Sequence, residues 1–181
     1  MKKRTKILLA VALCLCLVSS IFASLFQSSF NTVTVKDMNV VVAAGKSVNA
    51  QIYIPKNASP ENKVPLVVVS HGSYNNLDHQ DQNMIELSRG FAVISIDEYN
   101  HGSSDMEVAD ASIFASQAMR QIIDYACASY TFIDTDKIGV AGHSMGGIIS
   151  NATVAYYFAQ EALGLGENKV SAVLDVGYDP Q

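Results

Sequence analysis

Cysteine is scarce where it would matter. Of three in the chain, Cys14 and Cys16 sit in an apolar leader, which leaves Cys127 alone and excludes an intramolecular disulfide in the remainder. Leu13 and Leu15 precede the two leader cysteines where a bacterial lipoprotein site needs a small residue, so lipidation is set aside. Charge is also sparse: 16% of residues are charged and 49% hydrophobic, which excludes a disordered chain and suits one globular domain. No internal repeat or low-complexity tract breaks the 181 residues. A basic surface is missing too. Four of twelve cations stand at Lys2, Lys3, Arg4 and Lys6, leaving eight against seventeen acids, a net charge of −9 that excludes nucleic acid as a partner. Finally, the four histidines are His71, His79, His101 and His143, and none follows residue 143.

What is present begins with an export signature. The basic start runs into the apolar stretch from Ile7 to Val18, and Ser19, Ser20 and Ala23 offer small residues for cleavage. The apolar character continues through Leu25 and Phe26, to roughly the twenty residues that a spanning helix needs. Residues 1–26 therefore read either as a cleaved signal or as an uncleaved membrane anchor. The basic flank holds the cytoplasmic side and directs residues 32–181 outward as one domain, secreted or membrane-anchored.

Beyond the leader, residues 32–54 alternate in strand fashion about a turn at Ala43-Ala44-Gly45-Lys46, which predicts an antiparallel hairpin. Pro65-Leu66-Val67-Val68-Val69-Ser70 and Ala92-Val93-Ile94-Ser95-Ile96 are continuous apolar runs of the kind buried on both faces of a parallel sheet. A short helix is expected between them at residues 83–89. Phe114, Ala118, Met119, Ile122, Ile123 and Ala126 recur at helical spacing within residues 109–130. A strand at 137–141, a helix at 145–163 and a strand at 170–174 complete the pattern. Strand and helix in alternation predict an α/β fold: a doubly wound, mostly parallel sheet with helices on both faces and an N-terminal antiparallel hairpin.

The sharpest chemical signal is Gly142-His143-Ser144-Met145-Gly146-Gly147, a G-x-S-x-G between a buried strand and a helix. A serine on so tight a turn needs small neighbours, and Gly142 and Gly146 supply them. Ser144 would then project at the carboxyl edge of the sheet, with the Met145 N–H at the helix start beside any developing oxyanion. Neither a Walker lysine nor a G-x-G-x-x-G accompanies the turn, so a phosphate loop does not fit.

Ser70-His71-Gly72-Ser73, the Arg89-Gly90-Phe91-Ala92-Val93 strand entry with Ile96-Asp97 and Asn100-His101-Gly102-Ser103-Ser104 after it, and the elbow itself occur in that order. The chain from Val64 to Asp175 thereby resembles the α/β-hydrolase superfamily, in particular its lipase, cutinase and dienelactone-hydrolase-like branches. The resemblance implies a serine esterase without metal or cofactor, acting on a small-molecule or lipid ester. It implies Ser144 as nucleophile, the N–H groups of Ser73 and Met145 as the oxyanion hole, His71 as a shaper of that loop, Asp97 as an acceptor of backbone hydrogen bonds, and Tyr74 either over the substrate or as a surface aromatic. His79, with Asp78 and Asp81 near it, reads as part of a solvated loop.

The departure from the family pattern lies downstream. In that family the order is Ser, then Asp or Glu, then His, and here no histidine follows Ser144. The resemblance places base and acid outside the chain, so that these residues read as an incomplete, N-terminal portion of the domain; Asp175 or Asp179 is the minority position for the acid. The same elbow would also serve a peptidase, a thioesterase or an acyltransferase, and a non-catalytic tethered module could retain the fold.

Overall fold

The computed structural model describes residues 3–27, 30–41, 45–80, 88–105 and 116–177. Helix α1 spans Lys3–Gln27. Its leucines, valines and phenylalanines face outward, and none of its most apolar window is buried. Among the described residues no other element covers it.

The expected hairpin is present. Strand β1 (Val33–Val41) pairs antiparallel with β2 (Ser47–Pro55) in a register from Val33 opposite Pro55 to Val41 opposite Ser47. Gly45 has φ 71°, a left-handed turn position that glycine takes without strain; residues 42–44 of the turn lie outside the described residues. Strands β3 (Val64–Ser70), β4 (Ala92–Ile96), β5 (Ile133–His143) and β6 (Val170–Val176) follow. The sheet order is β1-β2-β4-β3-β5-β6. β2 meets β4 antiparallel, whereas β4, β3, β5 and β6 run parallel.

Period-two alternation divides the core between two faces. Even-numbered residues, including Val48, Ile52, Leu66, Val68, Ile94, Ile96 and Val140, form the larger cluster with the helices. Odd-numbered Val33, Tyr53, Val69, Val93 and Ala141 form a smaller cluster on the opposite face. Helix α2 (Gln117–Ser129) buries Ala118, Met119, Ile122, Ile123 and Ala126, the set expected from periodicity. Phe114 lies outside the described residues. Helix α3 (Met145–Ala162) packs beside it, with the Thr153 hydroxyl 3.4 Å from Met119 Sδ. Both helices join the larger cluster, so the described helices share one face. The helix expected at residues 83–89 falls, but for Ser88 and Arg89, outside the described residues. Among the described residues β6 is the last strand of the sheet, and its Val173 and Leu174 are exposed.

Candidate active site

Two parallel strands set the site. Ser70 at the end of β3 is paired with Gly142 in β5, so the two chains leave the sheet side by side at its carboxyl edge. Beyond Gly142 the chain turns directly into α3, and Ser144 is the residue that makes the turn. It stands at φ 54°, ψ −114°, a sparsely populated region for a side chain with a Cβ, and its hydroxyl makes no capping bond to the helix. Holding a residue there costs on the order of 1–3 kcal/mol, which the surrounding packing must supply. The Ser144 carbonyl accepts from Gly147 N–H (2.9 Å) and Ile148 N–H (3.3 Å). Those bonds close the first helical turn and leave the Met145 N–H among the unpaired donors of a helix start.

The close approach of strand and helix rests on the two glycines. A Cβ on Gly142 would strike the Gly146 carbonyl, and one on Gly146 would strike the Ser70 carbonyl and lie 2.8 Å from the His71 oxygen. The loop after β3 lies directly against the elbow: a Cβ on Gly72 would sit 3.1 Å from His143 Nδ1 and 3.7 Å from Ser144 Cβ. Ser73 follows on the exposed side of that loop, and Tyr74, with φ 63°, projects wholly into solvent.

His71 is buried and its tautomer follows from its bonds. The Glu98 N–H donates to Nε2 at 3.2 Å, so Nε2 carries no proton. Nδ1 therefore carries it and donates to the Gly72 carbonyl at 2.8 Å. Both ring nitrogens are committed, which removes His71 as a general base. The ring lies 5.1 Å from that of His101, tilted at 58°, and His101 Nδ1 is 3.1 Å from the Tyr99 carbonyl. His143 is exposed and borders Gly72. The His79 and Asp81 side chains lie outside the described residues.

Asp97 accepts from the Leu77 N–H, the Ser103 N–H and the Asn49 amide, each at 2.8 Å, with Gly102 at φ 52° leaving room for the carboxylate. It ties the turn after β4 to its neighbours, as expected. Sequence reasoning missed Glu98. Its side chain is buried, Oε1 accepts from the Ser70 hydroxyl at 2.7 Å, and burial, with the Asp97 charge adding to it and the Ser70 bond opposing, pushes its carboxyl up to about 8. The available signal was two consecutive acids directly after a strand buried on both faces. Asp175, opposite Gly142 in the β5–β6 register, accepts from Asn151 Nδ2 at 2.9 Å and rests on Gly147; its Oδ1 is buried without a partner among the described residues. Asp179 lies outside the described residues.

The BD-FAE family model matches residues 50–175, which include the loop after β3, the acidic turn after β4 and the elbow. The chain belongs to the BD-FAE family. This is an esterase-associated family of α/β-hydrolases, and the sheet of the BD-FAE chain has its solved counterparts among esterases. A hyperthermophilic esterase from the archaeon Pyrobaculum calidifontis is 22% identical with a TM-score of 0.58, covering 83% of this chain and 48% of its own. Esterase LipW from Mycobacterium marinum is 24% identical with a TM-score of 0.61, covering 85% and 48%. The carboxylesterase EstE1, cloned from a metagenomic library, is 24% identical with a TM-score of 0.61, covering 78% and 46%. Among curated proteins, uncharacterized protein Rv2715 of Mycobacterium tuberculosis and uncharacterized protein Mb2734 of Mycobacterium bovis are each 30% identical over 97 residues, 53% of this chain and 26% of theirs. The BD-FAE chain thus spans about half the length of these solved esterases and about a quarter of the curated relatives it matches.

Proposed function

We propose that the BD-FAE chain carries the nucleophile and oxyanion hole of a serine hydrolase of carboxylic esters. The observation that supports it most is Ser144 in a strained conformation at the junction of β5 and α3, its hydroxyl uncommitted to capping, with the loop of Gly72 packed against it. Strain of this kind persists where a function needs the side chain held in one direction.

In this reading Ser144 Oγ bonds to the ester carbonyl carbon while its proton passes to a histidine base, and the carbonyl oxygen becomes an oxyanion facing the Ser73 and Met145 N–H groups. Collapse expels the alcohol, which takes the proton, and water repeats the sequence on the acyl-enzyme. His71, with both ring nitrogens committed, does not serve as that base. The substrate in this reading is a small-molecule or lipid ester. Helix α1 serves as export signal or membrane anchor, so that the site works outside the cytoplasm; its apolar window has a mean hydropathy of 2.6.

The test is fluorophosphonate labelling and turnover of p-nitrophenyl acetate by the full-length protein. Labelling at Ser144 is expected, and Ser144→Ala is expected to lower kcat by about 10³-fold or more. Undiminished turnover by Ser144→Ala would overturn the proposal.

A further inference from the structure

Glu98 is a buried acid at the carboxyl edge of the sheet with no part in the chemistry proposed above; its carbonyl accepts from the His101 N–H within its own turn, and its other two bonds lead to the loop beside Ser144. Through its side chain it holds Ser70, the last residue of β3. Through its backbone N–H it holds His71 Nε2, and His71 in turn holds the Gly72 carbonyl. The Gly72 carbonyl and the Ser73 N–H belong to one peptide plane and point in opposite directions, so whatever fixes the first aims the second. The Asn75 N–H adds a weaker hold on the same carbonyl at 3.3 Å.

We infer that Glu98 is a positioning residue that aims the Ser73 N–H, acting through Ser70 and His71, and that it does so in its protonated form. The inference rests on the esterase reading of Ser144. The groups facing Glu98 make the neutral form the compatible one. Asp97 is adjacent on the same turn and already accepts three donors. His71 faces it from the loop after β3, with both nitrogens bonded, and His101 stands behind His71 in the following turn. Among the described residues, the Ser70 hydroxyl is the side-chain donor to its carboxyl. A second carboxylate here would lie beside the first with water excluded, and moving the turn away from β3 would relieve it. The contact most exposed to that movement is the 3.2 Å bond from the Glu98 N–H to His71, the first link of the chain that ends at Ser73.

The sign of the pH effect follows. Burial pushes the carboxyl up to about 8, so below that pH Glu98 is neutral and the loop is held; above it the group ionises and the Ser73 donor is lost. In the full-length protein, kcat for p-nitrophenyl acetate is expected to show an alkaline limb near pH 8, with KM changed less than twofold. Glu98→Ala is expected to lower kcat at pH 7 by on the order of tenfold, short of the 10²- to 10³-fold that losing an oxyanion donor costs. Glu98→Gln keeps the length and the Oε1 acceptor; it is expected to restore kcat relative to Glu98→Ala and to abolish the alkaline limb. Independently of turnover, the Ser73 amide resonance in a ¹⁵N spectrum should shift with a midpoint near pH 8 in the wild type and not in Glu98→Gln. If turnover depends on Ser144 yet both Glu98 variants keep wild-type kcat and the alkaline limb, the positioning role falls and the esterase reading stands. If turnover does not depend on Ser144, both fall.

Discussion

Ser144, Gly142 and Gly146 form one mechanical unit in which the strained residue and the two unsubstituted ones depend on each other. The first turn of α3 lies so close to the end of β3 that the Gly146 position has backbone, not a flexible side chain, on its far side. Nothing there can rotate away. Gly146→Ala must therefore separate α3 from β3 or twist the elbow, an overpacking that costs about 3 kcal/mol or more. Urea unfolding of the purified variant is expected to show an unfolding free energy lowered by that amount, with fluorophosphonate labelling of Ser144 lost even in folded protein. Gly90, where an added Cβ meets nothing within 4 Å, is the matching control. Equal effects of Gly90→Ala and Gly146→Ala would remove the argument from close approach.

Among the elements, the turn after β4 is the most heavily bonded part of the site's surroundings. Asp97 gathers donors from β2, from the turn at Leu77 and from Ser103, while the Ser104 hydroxyl donates to the Asp97 carbonyl and accepts from the Asn49 N–H. Asp97→Ala strands three donors at once, and leaving a buried donor unpaired costs about 1–3 kcal/mol. Thermal unfolding is expected to fall accordingly, and Asp97→Asn, which can still accept, is expected to recover part of it. A Tm within 1 °C of wild type for Asp97→Ala would show that the network carries no stability.

The same elements show how far the sequence could be read. Alternation located the hairpin and placed even- and odd-numbered residues on opposite faces. Helical spacing named the buried face of α2 residue by residue, because Ile122 and Ile123 leave no other way to cover them. β5 starts earlier than the apolar run suggested, at Ile133, which pairs with Val64 of β3; the half-buried Asp134 and the exposed Thr135, Asp136 and Lys137 that follow carry no apolar pattern and lie at a register shift before Ile138. Gly142-His143-Ser144-Met145-Gly146 marked the elbow through its glycines. Glu98 was invisible for the opposite reason: hydropathy reads an acid as solvated, and only the convergence of β3 and β4 reveals that this one is enclosed.

At the scale of the whole molecule, α1 and the sheet domain are built by different rules. The domain's core is complete without α1 among the described residues: its buried residues all fall between Val33 and Val170. Helix α1 contributes none, and exposes Leu8, Leu13, Leu15, Leu17 and Phe22 by half or more. An apolar helix of 25 residues left uncovered in water would drive association, because contiguous exposed apolar surface of this extent marks a contact with membrane or protein. Removing residues 1–29 is therefore expected to leave the unfolding temperature of the domain within about 2 °C of the full chain in detergent, since the apolar area buried in the core is unchanged. It should also move the protein from the membrane pellet to the soluble fraction of a cell that expresses it. A fall of more than 5 °C would mean that α1 packs on the domain, and the exposed leucines would then belong to a face of the sheet. Retention in the pellet with an unchanged unfolding temperature would instead assign membrane contact to the domain, where Tyr74, Ile148, Val173 and Leu174 are exposed.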